Sequence, residues 1–155
     1  MQFEELVKDL ATRLNTEITV EDGACTLGVD DMAVTLMALP EVEAVAFAGE
    51  IGEPPPQGLE ELYRSMLAAN HLFRGTAGST ISLNEQNNKF NLCWYAPEAI
   101  LDGEKFFQSL ERFVNTLEAW KKMLADYRPE EKPAAKSDAE TAPAPGFGAN
   151  GFMSV

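Results

Sequence analysis

Residues that could take part in catalysis or metal binding are few in this chain of 155 residues. It has one histidine, His71, and two cysteines, Cys25 and Cys93, and each cysteine lies within an apolar strand pattern. A structural zinc site needs about four Cys, His or carboxylate ligands, and none of the spacings H-x-x-x-H, C-x-x-C and D-x-D-x-D-G occurs. Cys25 and His71 could still meet in space as a nucleophile and its base, although no nucleophile signature accompanies either residue. We therefore expect no catalytic residue, no metal site and no cofactor.

A glycine-containing segment, residues 75–80 (Gly-Thr-Ala-Gly-Ser-Thr), has the composition of a phosphate-binding loop. It lacks the lysine of such loops and leads into a strand pattern rather than into a helix, so it is better explained as a turn. Carboxylate pairs such as Glu4-Glu5 and Glu60-Glu61 fall on polar helix faces, where charges are usually solvated. These patterns indicate recognition of another molecule through a surface rather than a chemical reaction.

The charge of the chain restricts its partners. Its formal net charge is −13, from 25 acidic and 12 basic side chains. A field of this sign repels phosphate backbones and anionic lipid headgroups, so we expect neither nucleic acid nor a membrane surface as a partner. A basic or amphipathic polypeptide is favoured instead, although solubility alone would also explain the charge.

The ends and the cysteines of the chain indicate its compartment. The first residues, Met-Gln-Phe-Glu-Glu, carry acids early and lack a long apolar run, which does not fit a signal peptide. No apolar stretch approaches the roughly 18 residues of a membrane span. A chain of this length needs no disulfide to hold its core, so we predict buried free thiols and a cytoplasmic protein.

The elements that would position these residues alternate between helical and strand patterns. Apolar residues at helical spacing predict three helices, over residues 3–14, about 59–73 and 103–127. Alternating apolar residues between turn signals predict five strands, over residues 24–29, 33–39, 44–51, 80–84 and 89–96. We predict an α+β fold of order α-β-β-β-α-β-β-α, in which a five-stranded antiparallel sheet is flanked by helices.

Two further expectations concern packing and the end of the chain. The third predicted strand has small residues on one face, Ala44, Ala46 and Ala48, so we expect a helix to pack closely there. Residues 1–127 should form a single domain, and residues 128–155 should form a disordered tail rich in proline and alanine. Near its end, Phe147, Phe152 and Met153 among glycines could form a short binding motif or simply be a frayed terminus. The tail as a whole could occupy the chain's own binding groove or do nothing.

Several segments of the sequence carry a family resemblance in their joint order. They are residues 21–25 (Glu-Asp-Gly-Ala-Cys), the prolines at 54–56, residues 66–70 (Met-Leu-Ala-Ala-Asn), residues 75–83 (Gly-Thr-Ala-Gly-Ser-Thr-Ile-Ser-Leu) and residues 113–120 (Phe-Val-Asn-Thr-Leu-Glu-Ala-Trp). Over residues 2–127 the chain resembles the type III secretion chaperones of the CesT (Tir chaperone) family.

The resemblance implies a function and a set of surfaces. It implies a cytoplasmic homodimer that binds the extended N-terminal region of a secreted effector and keeps it competent for export, without catalysis or nucleotide. The secretion-apparatus ATPase is a candidate further partner. By the family's architecture, helix two and strand four should form the dimer interface, with Leu62, Tyr63, Met66, Leu67, Ile81 and Leu83 as candidates. Client-binding candidates on helix one and the strands are Phe3, Leu6, Val34, Leu36, Val45 and Phe47.

Two other interpretations fit the same residues. One is a dimeric regulatory or protein-binding module that shares this fold without being a chaperone. The other is a small thiol enzyme that uses Cys25 or Cys93.

Overall fold

The computed structural model describes residues 1–129, which form three helices and one sheet. The helices are α1 (Phe3–Leu14), α2 (Leu59–Asn70) and α3 (Gly103–Asp126). The strands are β1 (Ala24–Val29), β2 (Met32–Leu39), β3 (Ala44–Gly52), β4 (Thr80–Asn84) and β5 (Lys89–Pro97). The predicted α+β order is confirmed. All but the first two residues of the predicted tail lie outside the described part of the chain.

All neighbouring strands are antiparallel, in the order β1-β2-β3-β5-β4. The first three strands form a meander. The chain then passes through α2 before it returns as β4 at the far edge, and β5 fills the position between β4 and β3. The strands β1 and β4 therefore form the two edges of the sheet, and both surfaces described below lie at these edges.

The hydrophobic core lies between one face of the sheet and the helices. Phe47 in the middle of β3 is fully buried, and its ring lies 5.3 Å from that of Phe106 and 5.7 Å from that of Phe113, both on α3. Beside it, a side chain at Gly49 would collide with Leu117, so the glycine lets α3 approach the sheet closely. Burying large aromatic and aliphatic side chains supplies most of the stabilisation of such a core.

The expectation that a helix packs on Ala44, Ala46 and Ala48 is wrong. Helix α3 covers the opposite face of β3, the one that carries Phe47 and Gly49. The helix packs on this face because its large side chains remove more apolar area from water than alanines can. Gly49 allows the close approach that the alanines were expected to allow. Ala46 and Ala48 are half-buried.

The described helices begin and end for identifiable reasons. The Asp102 carboxylate accepts a hydrogen bond from the backbone N–H of Lys105 at 2.8 Å and caps α3. Helix α2 ends at Asn70, earlier than predicted, because Leu72 and Phe73 take left-handed backbone conformations with φ of 52° and 56°. Among residues 1–129, no helix combines the length and the apolar character needed to cross a membrane.

Candidate protein-binding surfaces

The ionisable and nucleophilic side chains of the described residues do not converge on one site. Cys25 lies on edge strand β1, whereas His71 follows α2 beside the opposite edge strand. Four strand spacings of about 4.8 Å separate these edges, so Cys25 and His71 do not form the nucleophile–base pair that was considered as an alternative. Burial raises the pKa of the Cys25 thiol, which keeps it protonated at neutral pH. Within residues 1–129, no cluster of His, Cys, Asp and Glu side chains could hold a metal ion.

The proposed client-binding residues lie in the core. All of them are at most 4 % exposed: Phe3, Leu6, Val34, Leu36, Val45 and Phe47. Phe3 and Leu6 belong to the buried stripe of α1, and the four strand residues carry large apolar side chains of the helix-covered face of the sheet. A client could reach these side chains only if the core opened, so they do not line a binding surface of the folded chain.

A free sheet edge runs along β1. The N–H of Ala38 donates to the Gly23 carbonyl at 2.8 Å, which places Cys25, Leu27 and Val29 in hydrogen-bonded pairs with β2. The backbone groups of the intervening residues, Thr26 and Gly28, must then point away from β2. No other strand lies beside them within the described residues. Unpaired main-chain groups of this kind can pair with an extended chain.

An apolar cleft of about 340 Å³ adjoins this free edge. One wall is β1 with Gly28, the other wall is the connecting segment with Ile18, and the floor is α3 with Phe107 and Val114. Two carboxylates, Glu17 and Glu111, also line the cleft. The cleft therefore offers an apolar floor, main-chain hydrogen-bonding groups and negative charge.

The predicted dimer-interface residues divide into two sets. Leu62, Met66 and Ile81 are buried and form part of the core of the single chain. The others are exposed: Tyr63, Leu67 and Leu83, of which Leu67 is 70 % exposed. Tyr63 packs edge-on against Phe90 of β5, whose partner on β4 is Leu83.

Two residues that sequence reasoning did not assign extend this surface. Leu72 is 66 % exposed and Phe73 is 54 % exposed, and both have positive φ. Bulky residues adopt this conformation at a cost of about 1 kcal/mol or more each, so the turn holds large apolar side chains in water under strain. The sequence assigned Phe73 to the apolar stripe of α2 and gave no sign of the turn. We call Tyr63, Leu67, Leu72, Phe73 and Leu83 the α2–β4 patch.

The side chain of Asn70, the last residue of α2, binds the edge of β4. Its amide nitrogen donates to the Ile81 carbonyl at 3.0 Å, and the Ile81 N–H donates to its amide oxygen at 2.8 Å. Asn70 therefore occupies the positions that a neighbouring strand would use at Ile81. Pairing of another strand with β4 is therefore blocked at Ile81.

Comparison with known proteins relates this geometry to one family. The model of the Tir chaperone protein (CesT) family matches residues 5–121. A search of curated protein sequences finds no match.

Solved structures share the fold at low sequence identity. The HopA1–SchA chaperone–effector complex matches with a TM-score of 0.67 and 19 % identity, over 77 % of this chain and 93 % of that chain. The ExsC–ExsE complex matches with a TM-score of 0.67 and 22 % identity, over 77 % and 91 %. The type III secretion chaperone SycH of Yersinia pestis, in complex with a fragment of YscM2, matches with a TM-score of 0.63 and 18 % identity, over 77 % and 99 %.

Proposed function

Since the chain belongs to the Tir chaperone (CesT) family and is an effector-binding chaperone of type III secretion, we propose that it holds the extended N-terminal region of its effector at the edge of β1. The observation that supports this placement is the unpaired backbone of Thr26 and Gly28 beside an apolar cleft. Two solved structures with this fold are named as complexes, HopA1–SchA and ExsC–ExsE.

Three properties of the β1 edge favour an unfolded client. An added strand would gain main-chain hydrogen bonds that do not depend on the client's sequence. Alternate side chains of that strand would point toward α3 and bury apolar area against Phe107 and Val114. Carboxylates at Glu17 and Glu111 favour basic residues in the same segment. A client held in this way stays extended, without catalysis or cofactor.

We further propose that two copies associate through the α2–β4 patch. The patch consists of exposed apolar side chains, and a left-handed backbone turn leaves those of Leu72 and Phe73 exposed. Covering the patch in a dimer would remove these side chains from water and offset the strain. The dimer would act in the cytoplasm, with the ATPase of the secretion apparatus as a further partner.

The β1 edge is tested by co-expressing the chain with the effector encoded beside its gene and measuring co-purification. Thr26→Pro removes the outward N–H of β1 and should lose most of the bound effector, because proline cannot donate to an added strand. Edge strands accept proline where the N–H faces solvent, so the fold should survive. Thr26→Val is the matched control, since it removes the Thr26–Thr35 hydroxyl contact and keeps the N–H. Equal recovery of effector by both variants would place the client elsewhere.

The dimer is tested by sedimentation of Leu67→Lys. This side chain is largely exposed in the single chain, so the substitution should leave the monomer folded and shift the dimer toward monomer. Ile100→Lys is the control, because Ile100 is also an exposed apolar residue but lies outside the α2–β4 patch. A Leu67→Lys protein with the association constant of the wild type would rule out this interface.

A further inference from the structure

The wall of the cleft opposite β1 has the properties of an unpaired strand. Residues 16–18 line the cleft on this side, and the segment continues through Thr19 and Val20. Of residues 17–20 (Glu-Ile-Thr-Val), three are β-branched and favour extended backbone. Within residues 1–129, none of their backbone N–H or C=O groups makes a hydrogen bond with another backbone group or with a side chain. These residues are exposed or half-buried, so their unpaired backbone groups are accessible to a neighbouring strand.

The register of this segment relative to β1 is set by one bridge. Glu21 and Ala24 exchange two backbone hydrogen bonds of 2.9 Å each, so the backbone groups of Glu21 point toward β1. Because these groups alternate sides along an extended chain, those of Thr19 and Glu17 also point toward β1. On β1, the outward backbone groups are those of Thr26 and Gly28, as shown above. The two walls therefore present unpaired donors and acceptors to each other.

The walls diverge beyond the bridge instead of pairing. Residues 16–18 and residues 26–29 both line the cleft of about 340 Å³ that lies between them. On its far side, the connecting segment borders a second, more open hollow of about 740 Å³ against α1. Space on both sides means that the segment can shift without meeting the helices.

We propose that the client strand inserts into this cleft and pairs with β1 on one side and with residues 17–20 on the other. This inference rests on the proposed function and specifies how the client is held. The sheet would grow by two strands, and the two walls would stand about 9.6 Å apart, which is two strand spacings. The client's outer edge would then be covered by residues 17–20, whereas simple addition to β1 would leave a new free edge that could recruit further chains.

The cleft also indicates what the inserted segment should contain. Its floor on α3 is apolar at Phe107, Leu110 and Val114, and its rim carries Glu17 and Glu111. A segment with apolar side chains at alternate positions and lysine or arginine between them fits both. A synthetic peptide of alternating valine and lysine is therefore a suitable probe that does not depend on knowing the effector.

Proline substitutions separate insertion from simple edge addition. By the register derived above, Thr19→Pro removes an N–H that points toward β1, and Val20→Pro removes the adjacent N–H, which points away from β1. The affinity of the valine–lysine peptide, measured by fluorescence anisotropy, should fall roughly threefold to tenfold for Thr19→Pro, the equivalent of one lost hydrogen bond. Val20→Pro should bind as the wild type does, and Thr26→Pro should lose affinity under either mechanism. Equal affinity of Thr19→Pro and Val20→Pro, with loss only in Thr26→Pro, overturns insertion and leaves the proposed function standing.

Hydrogen exchange on the full chain supplies a readout that needs no variant. Peptide binding should slow exchange at Glu17 and Thr19 together with Thr26 and Gly28. Protection of Thr19 and Thr26 already in the free protein would show that the two walls close on each other, and this would overturn insertion into an open cleft. If Thr26→Pro and the wild type bind both peptide and effector equally, the proposed placement itself fails.

Discussion

Replacing Asn70 with alanine should destabilise the fold by a predictable amount. The substitution removes both hydrogen bonds between the Asn70 side chain and Ile81, of 2.8 and 3.0 Å. Each is worth about 0.5–1.5 kcal/mol net, so the expected loss in free energy of unfolding is about 1–3 kcal/mol. Asn70 is the last residue of α2, where the better helix propensity of alanine returns at most about 0.5 kcal/mol.

Thermal unfolding at one fixed protein concentration measures this loss. At about 4 °C per kcal/mol for a domain of this size, Asn70→Ala should melt roughly 4–12 °C below the wild type. Asn84→Ala is the control: the Asn84 side chain, at the exposed end of β4, accepts one hydrogen bond from the Gln86 N–H, and the loss of this bond should cost less. The Ile81 amide should also exchange faster in Asn70→Ala. Equal melting temperatures of the two variants would refute the conclusion that Asn70 stabilises the β4 edge.

Three further predictions concern the core, α3 and Cys25. Gly49→Ala should cost about 1–3 kcal/mol in urea denaturation, because the added methyl group meets the buried Leu117 side chain; unchanged stability would mean that α3 can move away. Hydrogen bonds from the backbone and the side chain of Lys105 lower the pKa of Asp102 below its ordinary value of 3.8. The ionised Asp102 therefore stabilises the fold fully above pH 3.8, and this stabilisation is lost as the pH falls through the lowered pKa. Asp102→Asn should therefore lose less stability than the wild type between pH 5 and pH 3, and parallel curves would contradict this. Burial raises the pKa of Cys25, so the native thiol should react with iodoacetamide only after denaturant is added, and rapid native alkylation would disagree.

Periodicity was sufficient to predict the order of helices and strands because each element buries one face or one stripe. It could not show which face of β3 a helix covers. Ala46 and Ala48 looked suited to close packing, but Phe47 and Gly49 on the other side bury more area and still admit α3. A local sequence pattern describes each face of a strand separately. Which face a helix covers depends on the apolar side chains that the other strands and helices bring to that face.

The binding surfaces were harder to predict for the same reason. Large apolar residues such as Phe47 attract attention as candidates for binding, yet they are the first to be buried. The cleft depends instead on the absence of bonds at Thr26, Gly28 and residues 17–20, which becomes visible only when strand order places β1 at an edge. In the α2–β4 patch, Tyr63, Leu67 and Leu83 were interface candidates through the family resemblance, whereas Leu72 and Phe73 required the backbone turn to be seen.

Two side chains of the α3 region form hydrogen bonds with backbone carbonyls next to the two ends of α2. The Trp120 indole N–H donates to the Gly75 carbonyl at 2.9 Å, just beyond the C-terminus of α2, and the Tyr127 hydroxyl donates to the Gly58 carbonyl at 2.7 Å, at its N-terminus. The same helix forms the floor of the cleft about one and a half to three and a half turns before Trp120. Helix α3, with 24 residues and a length of about 36 Å, thus contacts both the cleft beside β1 and the segments that flank α2. Binding of a client in the cleft should consequently change the fluorescence of Trp120, because the indole and the floor of the cleft belong to the same helix.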